Sequence, residues 1–173
     1  SVGRGCVLLL NVSVNRDGRI PDVDAGRLRE LHAAVAKMFS TDLAFGKTAT
    51  ASAVYGNSAT FSAGKAVDGD PGTFWAPDTG VTNECWLEID LGAPTRFDTA
   101  ALAEPLNEGQ RVAAYRIDAW RDGQWKLVVH GNSVGHLKLE RFNAVTTDKV
   151  RLVIEKSRAC PLISRFSLYL RDN

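Results

Sequence analysis

The sequence predicts an all-β fold, an eight-stranded antiparallel jelly-roll sandwich, preceded by one β-strand and one amphipathic α-helix. Two observations predict this fold. Between residues 49 and 170, short apolar or alternating runs are separated by turns rich in Gly, Asn and Asp, as is typical of antiparallel strands. Before residue 40, apolar residues recur instead at the spacing of a helix.

The N-terminal part predicts a strand, a turn and a helix. Residues 6–10 are a continuous apolar run, which suits a strand covered on both faces, as in a parallel sheet or a barrel. Residues 15–21 form a turn ending in a proline, a residue suited to the start of a helix. The apolar residues that follow at helical spacing are Val23, Leu28, Leu31, Val35 and Met38.

Eight candidate strands follow the helix, each too short to form a domain alone. Asp122 and Gly123 separate two of them and predict a hairpin turn, because glycine accepts the positive φ that such turns need. The candidate strands are residues 49–53, 85–91, 97–103, 113–121, 125–130, 137–142, 150–155 and 166–170.

Composition limits the size of the protein and its partners. A chain of 173 residues with 45% hydrophobic content can build one core, with room for an appended piece. Lys and Arg number 21 and Asp and Glu 20, so nothing favours nucleic acid or an anionic membrane as a partner. No apolar run approaches the roughly 18 residues of a membrane span, and no signal-peptide pattern is present.

A turn at residues 68–73 combines groups that can bind a hard cation. Asp68, Asp70 and Thr73 supply two carboxylates and a hydroxyl, and glycines leave nearby carbonyls accessible. Ca²⁺ takes six to eight such oxygen ligands. The alternative is a plain surface turn, because Gly, Asp and Pro are also the residues that tight turns favour.

The order of the motifs carries a family resemblance. Residues 66–75 read A-x-D-G-D-x-x-T-x-W and residues 86–92 read W-L-E-I-D-L-G. This pair resembles the factor 5/8 type C (discoidin) domains and, among them, the family 32 carbohydrate-binding modules. Segments 115–120, 122–125, 150–154 and 163–169 agree with the same family in order. The resemblance covers about residues 44–171 and implies a galactose-binding-domain-like jelly roll.

A second resemblance precedes the first. Residues 8–21 read L-L-L-N-x-x-x-N-x-x-G-x-I-P, and a helix is predicted directly after them. The stretch of about residues 1–38 is similar to the end of the catalytic barrel of glycoside hydrolase family 29 α-L-fucosidases, although Val14 stands where that family usually has proline. We therefore expect residues 1–43 to hold the last strand and helix of a barrel plus a linker, and residues 44–173 to form the module.

The two resemblances together imply a function. The chain resembles the C-terminal region of an α-L-fucosidase, whose parent enzyme hydrolyses terminal α-L-fucose from glycans, while the module binds carbohydrate or braces the catalytic domain. The alternatives are a stand-alone lectin-like module and a structural module with no ligand. The family places its nucleophilic Asp on an earlier barrel strand, so no catalytic residue is expected here and the chain alone should be inactive.

The same resemblance implies partners and a location. The expected partners are glycans carrying fucose or galactose and the rest of the parent catalytic domain. Neither nucleic acid nor a membrane span is expected. The expected location is extracellular or within the secretory pathway.

Calcium is a possible cofactor with one departure from the family pattern. In family 32 modules the ion takes main-chain oxygens at the positions of Lys65, Asp70 and Thr73, and side-chain oxygens at Asp68 and Thr73. A glutamate near the C-terminus completes the site, and that position is Arg165 here. Because a guanidinium repels Ca²⁺ and binds carboxylates, the alternative is an Asp68–Arg165 ion pair that closes the same loop.

Five residues are candidates for carbohydrate binding. Tyr55 and Asn57 lie in a glycine-containing loop and could stack on a sugar ring and bind its hydroxyls. Glu104 and Arg111 belong to an E-x-x-x-x-G-Q-R-V segment that resembles modules attached to fucosidases, where they could bind sugar or form a buried ion pair. Arg158 could reach the ligand or remain solvated.

The tryptophans and cysteines give weaker signals. Trp86, Trp120 and Trp125 lie in predicted strands or at their edges, which favours core or rim positions over a sugar-stacking platform. The three cysteines are widely spaced and form no zinc pattern. Cys85 and Cys160 could form a disulfide or remain free thiols.

Overall fold

The computed structural model describes residue 3 and residues 8–171 and confirms the all-β prediction. One helix precedes six antiparallel strands, with short 3-10 turns in the loops. The elements are α1 Asp22–Met38, β1 Thr48–Ala51, β2 Cys85–Ala103, β3 Val112–Arg121, β4 Gln124–Gly131, β5 Lys138–Ser157 and β6 Arg165–Tyr169.

Two long strands account for four of the eight predicted ones. Residues 85–91 and 97–103 are the two ends of β2, and residues 137–142 and 150–155 fall almost wholly within β5. Register shifts in the β2–β5 ladder lie between Asp90 and Thr95 and between Phe97 and Thr99. A sequence pattern marks such an irregularity as a break between strands, although the chain only bends there.

The bend divides the strands into two halves. The first half of β2 pairs with β1 and with the second half of β5, which also pairs with β3, and β4 follows β3. The second half of β2 pairs with β6 and with the first half of β5. The result is a five-stranded half and a three-stranded half, which is the predicted eight-strand arrangement.

One hydrophobic core joins the two halves. Leu87, Ile117 and Leu152 come from the five-stranded half, Leu102 and Phe166 come from the three-stranded half, and all five are fully buried in one cluster. Tyr115 on β3 adds a polar link, because its hydroxyl donates a 2.7 Å hydrogen bond to Glu140 on the first half of β5. Burial and this carboxylate both raise the pKa of Tyr115, so the phenol stays protonated.

The predicted helix is confirmed at Asp22–Met38. Asp22 and Asp24 lie in its first turn and Lys37 in its last, the arrangement that the helix dipole favours. None of its residues is buried. Within the part of the chain that the structure describes, no helix is both long enough and apolar enough to cross a membrane.

The predicted first strand, residues 6–10, is not formed at its described residues, 8–10. Cys6 and Val7 lie outside the described residues, and Leu8, Leu9 and Leu10 belong to no strand and are exposed. A strand needs a neighbour to pair its backbone groups, and this segment has no strand beside it in the described residues.

The segment between helix and sandwich is fixed to β6. The Phe39 ring packs edge-on against Tyr169 with ring centroids 5.2 Å apart. Asp42 Oδ1 accepts backbone hydrogen bonds from Ala44 at 2.9 Å and from Leu168 at 3.0 Å. The predicted division at residues 43 and 44 stays a prediction, but this linker packs on the module.

Candidate functional site

Four loops meet at one end of the sandwich. The loop after β1 contacts residues 76–78, since Tyr55 donates its backbone N–H to Ala76 O at 2.9 Å. Pro77 O accepts from the Cys160 thiol at 3.3 Å, which brings in the loop before β6. Cys160 O accepts from Arg111 Nη1 at 3.0 Å, which adds the loop between β2 and β3. We call these four loops the loop end.

Tyr55 and Asn57 lie exposed on this end. Tyr55 is 44% exposed, and its ring packs edge-on against Phe61 with centroids 5.5 Å apart. Asn57 has a φ of 51°, in the left-handed region that asparagine tolerates better than most residues. Asp78 Oδ1 accepts the backbone N–H of Gly56 at 3.2 Å and so holds the loop between them.

Glu104 is a structural anchor within the candidate site. Its side chain is buried, with 2% of the residue exposed. Oε1 accepts the backbone N–H groups of Arg111 at 2.7 Å and Val112 at 2.9 Å, and Oε2 accepts that of Gly135 at 2.8 Å. The predicted alternative of a Glu104–Arg111 ion pair is wrong, because the carboxylate bonds to backbone amides and not to the guanidinium. These three hydrogen bonds show that Glu104 fixes the loop, and its contact with carbohydrate stays a prediction.

Arg111 and Arg158 differ in how firmly they are held. The Arg111 guanidinium donates to Glu108 O at 3.3 and 3.2 Å and lies 3.5 Å from the Glu108 carboxylate. Together with its bond to Cys160 O, these contacts give it a fixed position at the loop end. Arg158 is exposed, and its backbone N–H donates to Arg111 O at 2.8 Å. The structure thus brings both arginines to the end that carries Tyr55 and Asn57.

The predicted calcium loop folds as a cluster of oxygens. Thr73 Oγ1 lies 2.8 Å from Asp68 Oδ2, 3.2 Å from Asp70 O and 3.4 Å from Lys65 O. A hydroxyl has one proton, so it donates to Asp68 and packs against the two carbonyls. Asp68 Oδ1 also accepts the backbone N–H of Asp70 at 3.0 Å.

Asp68 is neutralised from within its own loop. Lys65 Nζ lies 3.4 Å from Asp68 Oδ2, and the predicted Asp68–Arg165 ion pair is therefore wrong, because a lysine takes this role. Burial alone would raise the pKa of Asp68, but the hydrogen bonds from Asp70 and Thr73 and the Lys65 ammonium together hold this pKa below its ordinary value.

The donor set does not fit calcium. It offers four oxygens with one carboxylate, and the ammonium of Lys65 stands beside that carboxylate. Ca²⁺ prefers six to eight oxygens with net negative charge. Among the residues that the structure describes, no group of three His, Cys, Asp or Glu side chains is placed to hold a metal ion.

Calcium is accordingly expected to leave the stability of the chain unchanged. We expect the melting temperature to shift by less than about 1 °C between excess EDTA and millimolar CaCl2. The matched variant is Arg165→Glu, which restores the glutamate of the family pattern and should give a melting temperature that rises with calcium. A calcium-dependent rise in the unsubstituted chain would show that Lys65 is displaced and that the site is a genuine metal site.

Three of the four tryptophans, Trp86, Trp120 and Trp125, lie on the outer face of the five-stranded half. The Arg151 guanidinium lies between the rings of Trp86 and Trp125, 4.4 and 4.0 Å from their centroids, and Glu88 pairs with it at 2.8 Å. Trp120 packs against Trp125 with centroids 5.2 Å apart. Arg151 occupies the ring faces that a sugar would need, which agrees with the predicted core or rim positions.

The two described cysteines are free thiols. Cys85 is buried and Cys160 is half-buried. Burial raises the pKa of Cys85 to about 12, and burial also raises the pKa of Cys160. Neither thiol is activated as a nucleophile, because the reactive thiolate is disfavoured at neutral pH. Cys6 lies outside the described residues.

Three contributors to these sites were not predicted. Asp78 and Cys160 join the loops of the loop end, and His136 lines a cleft beside Arg165. The turn at residues 77–80 contains Pro, Asp and Gly, which marks it as a loop but gives no signal of its contact with Gly56. Such contacts depend on which loops meet, and local patterns do not carry that information.

A family model places the sandwich among known domains. The model of the F5/8 type C domain matches residues 48–166. A chitosan-binding module of a Paenibacillus chitosanase/glucanase has a solved structure that matches with a TM-score of 0.66 and 27% identity, covering 74% of this chain and 97% of that module.

Enzymes match nearly the whole chain, including the part before residue 48. An Arabidopsis thaliana α-L-fucosidase 1 is 33% identical over 98% of this chain and 34% of the enzyme. A GH29 fucosidase of Ruminococcus gnavus, solved in complex with fucose, matches with a TM-score of 0.89 and 28% identity over 100% of this chain and 35% of the enzyme. The chain thus spans about a third of the length of these relatives.

Proposed function

Because the chain belongs to the F5/8 type C domain family, and its homologues over nearly its whole length are α-L-fucosidases, we propose that it is the C-terminal region of such an enzyme. The complete enzyme would hydrolyse terminal α-L-fucose from glycans. The observation that carries this proposal is the match of residues 1–47, which lie outside the F5/8 type C domain but align with fucosidases together with it.

An exposed apolar surface before the sandwich supports the proposal that a neighbouring domain packs on it. Large apolar side chains are usually scattered on a protein surface, but here they concentrate before residue 32. A catalytic barrel that packs on residues 8–20 and on helix α1 would bury them. The exposed apolar residues concerned are Leu8, Leu9, Leu10, Val14, Ile20, Val23 and Leu31.

Two roles of the module are supported by different observations. Its linker is held on β6 by Phe39 and Asp42, which suits a module that braces a neighbouring domain. Its loop end carries exposed Tyr55 and Asn57 beside the fixed Arg111, which suits binding of a glycan that bears fucose or galactose. The extracellular or secretory location stays a prediction.

The catalytic proposal is tested by activity with and without the preceding barrel. We expect these 173 residues to release no nitrophenol from a nitrophenyl α-L-fucoside, because the fucosidase barrel that they resemble in part carries its nucleophilic Asp on an earlier strand. A longer polypeptide that includes the upstream barrel should hydrolyse it. Turnover by a pure preparation of the chain, or inactivity of the longer folded polypeptide, would contradict the proposal.

The role of the module is tested separately by glycan binding. We expect fucosylated or galactosylated glycans to bind the chain in calorimetry, and Tyr55→Ala to weaken binding about tenfold through loss of stacking. Leu127→Ala is the matched control, since Leu127 is 51% exposed on β4 and belongs to none of the four loops. Equal binding by both variants would remove the loop end as the site, and no binding by the unsubstituted chain would leave bracing as the module's role.

A further inference from the structure

A cleft beside Arg165 lies apart from four of the five candidate carbohydrate-binding residues. Its volume is about 280 Å³, and it lies where the segment after β2 meets the start of β6. Tyr55, Asn57, Arg111 and Arg158 do not line it, whereas the buried Glu104 does. Its polar and apolar walls are formed mainly by Arg165, His136, Asn107, Ser164, Leu106 and Pro71.

Arg165 brings an uncompensated charge into this cleft. Arg116, Arg151 and Arg171 are also half-buried, and each has a carboxylate within 3.1 Å, whereas the half-buried Arg121 makes no ion pair in the described residues. Arg165 has no such partner among the residues that the structure describes. Its expected partner Asp68 is taken by Lys65. A guanidinium that lines a cleft and pairs with no protein carboxylate can bind an external anion there.

The two carboxylates that line clefts with Arg165, Glu104 and Asp42, form no ion pair with it. Both oxygens of Glu104 accept backbone N–H groups. Asp42 lines an adjoining cleft of about 270 Å³ that Arg165 also lines, but its Oδ1 accepts two backbone N–H groups and it makes no ion pair with Arg165. Neither group therefore occupies the donor edge of the guanidinium.

The remaining walls suit one sugar ring. The volume is below that of pockets for drug-sized ligands, which hold several rings. Leu106 is 56% exposed and, with Pro71, presents an apolar surface for the ring face. The Asn107 amide and the His136 imidazole are both exposed and can donate to or accept from hydroxyl groups.

We propose that this cleft binds one acidic sugar residue, with its carboxylate paired to Arg165. A guanidinium matches a carboxylate with two parallel hydrogen bonds, which a neutral hydroxymethyl group cannot accept in the same way. The site distinguishes uronic acids from their neutral counterparts and uses none of the exposed candidates Tyr55, Asn57 and Arg158.

Matched pairs of sugars test this inference on the 173-residue chain. Galacturonate and glucuronate are compared with galactose and glucose by NMR titration at low ionic strength. We expect both uronates to bind at least about tenfold more tightly than the neutral sugars, because the charge-assisted pair is present only in the acids. Added salt should weaken uronate binding.

Three variants locate the binding. Arg165→Gln should reduce uronate binding to the level of the neutral sugar, whereas Arg96→Gln, an exposed arginine on β2, should leave it unchanged. Arg165→Lys keeps the charge but loses the bidentate geometry, and should bind with intermediate strength. If Arg165→Gln fails to fold, Arg165→Lys provides the test of the role of Arg165.

Three outcomes would contradict the inference. Uronate binding that survives in folded Arg165→Gln, equal binding of uronates and neutral sugars, or no uronate binding by the folded chain would each overturn the inference. None of these results bears on fucoside hydrolysis or on the effect of Tyr55→Ala, so failure here is distinguishable from failure of the proposed function.

Discussion

Replacing Glu104 by alanine is expected to lower the free energy of unfolding by about 3–5 kcal/mol, because three backbone N–H groups lose their acceptor and each unsatisfied buried donor costs roughly 1–3 kcal/mol. The three donors are Arg111, Val112 and Gly135, at 2.7, 2.9 and 2.8 Å from the carboxylate. Chemical denaturation followed by circular dichroism measures the change.

Two controls define the cause of this loss. Glu104→Gln keeps the oxygen that accepts from Arg111 and Val112 but turns an amide NH2 toward Gly135, so it should cost less than alanine. Glu108→Ala removes an exposed carboxylate from the same loop and should change stability by less than about 1 kcal/mol. If Glu104→Ala is as stable as Glu108→Ala, the carboxylate does not anchor the loop and its assignment as a structural residue is wrong.

Trp75→Ala is the second large expected effect, at about 3–5 kcal/mol of lost stability from the cavity and the lost burial. Trp75 is fully buried, and its indole Nε1 donates to Ala53 O at 3.0 Å. Its backbone exchanges two hydrogen bonds with Ile163, at 2.9 and 3.0 Å. Through its side chain and its backbone together, Trp75 joins the loop after β1 to the segment before β6.

Trp75→Phe is the matched control, because it keeps an aromatic ring in the core and removes the indole N–H. Trp75→Phe should lower the free energy of unfolding clearly less than Trp75→Ala does. The loss that remains in Trp75→Phe includes the effect of leaving Ala53 O without its donor. A melting temperature of Trp75→Ala close to that of the unsubstituted chain would mean that the surrounding core collapses into the space, contrary to the packing described.

The strands were predictable because each alternates or is apolar over its own length. The seven-residue pattern at 86–92 locates the first half of β2, and the Asp122–Gly123 turn locates the hairpin of β3 and β4. The continuity of β2 and β5 was not predictable. Gly92 and Pro94 interrupt the pattern within β2, and only the pairing with β5 on both sides of them joins the two segments into one strand.

The candidate site was predictable in its segments but not in its contacts. The motif at residues 104–112 correctly marked Glu104 as important, yet its partners are backbone groups, one of them 31 residues away at Gly135. The same limit applies to Asp68, which has two candidate cations in the sequence. The nearer one, Lys65, makes the contact because it lies three residues away, whereas Arg165 comes from the start of β6 and makes no ion pair with Asp68.

The sharing of β2 and β5 by both halves also constrains how the chain folds. When β2 leaves a ribosome, β1 is the one strand before it in the described sheet, and its main partner β5 begins at Lys138, 35 residues after β2 ends at Ala103. Pairing over such separations is slow, because loop closure precedes the contacts that stabilise it. Once β5 pairs with β2, both halves gain their central ladder together. We therefore expect the sandwich to appear late and in one cooperative step, with no stage at which one half is complete and the other unformed.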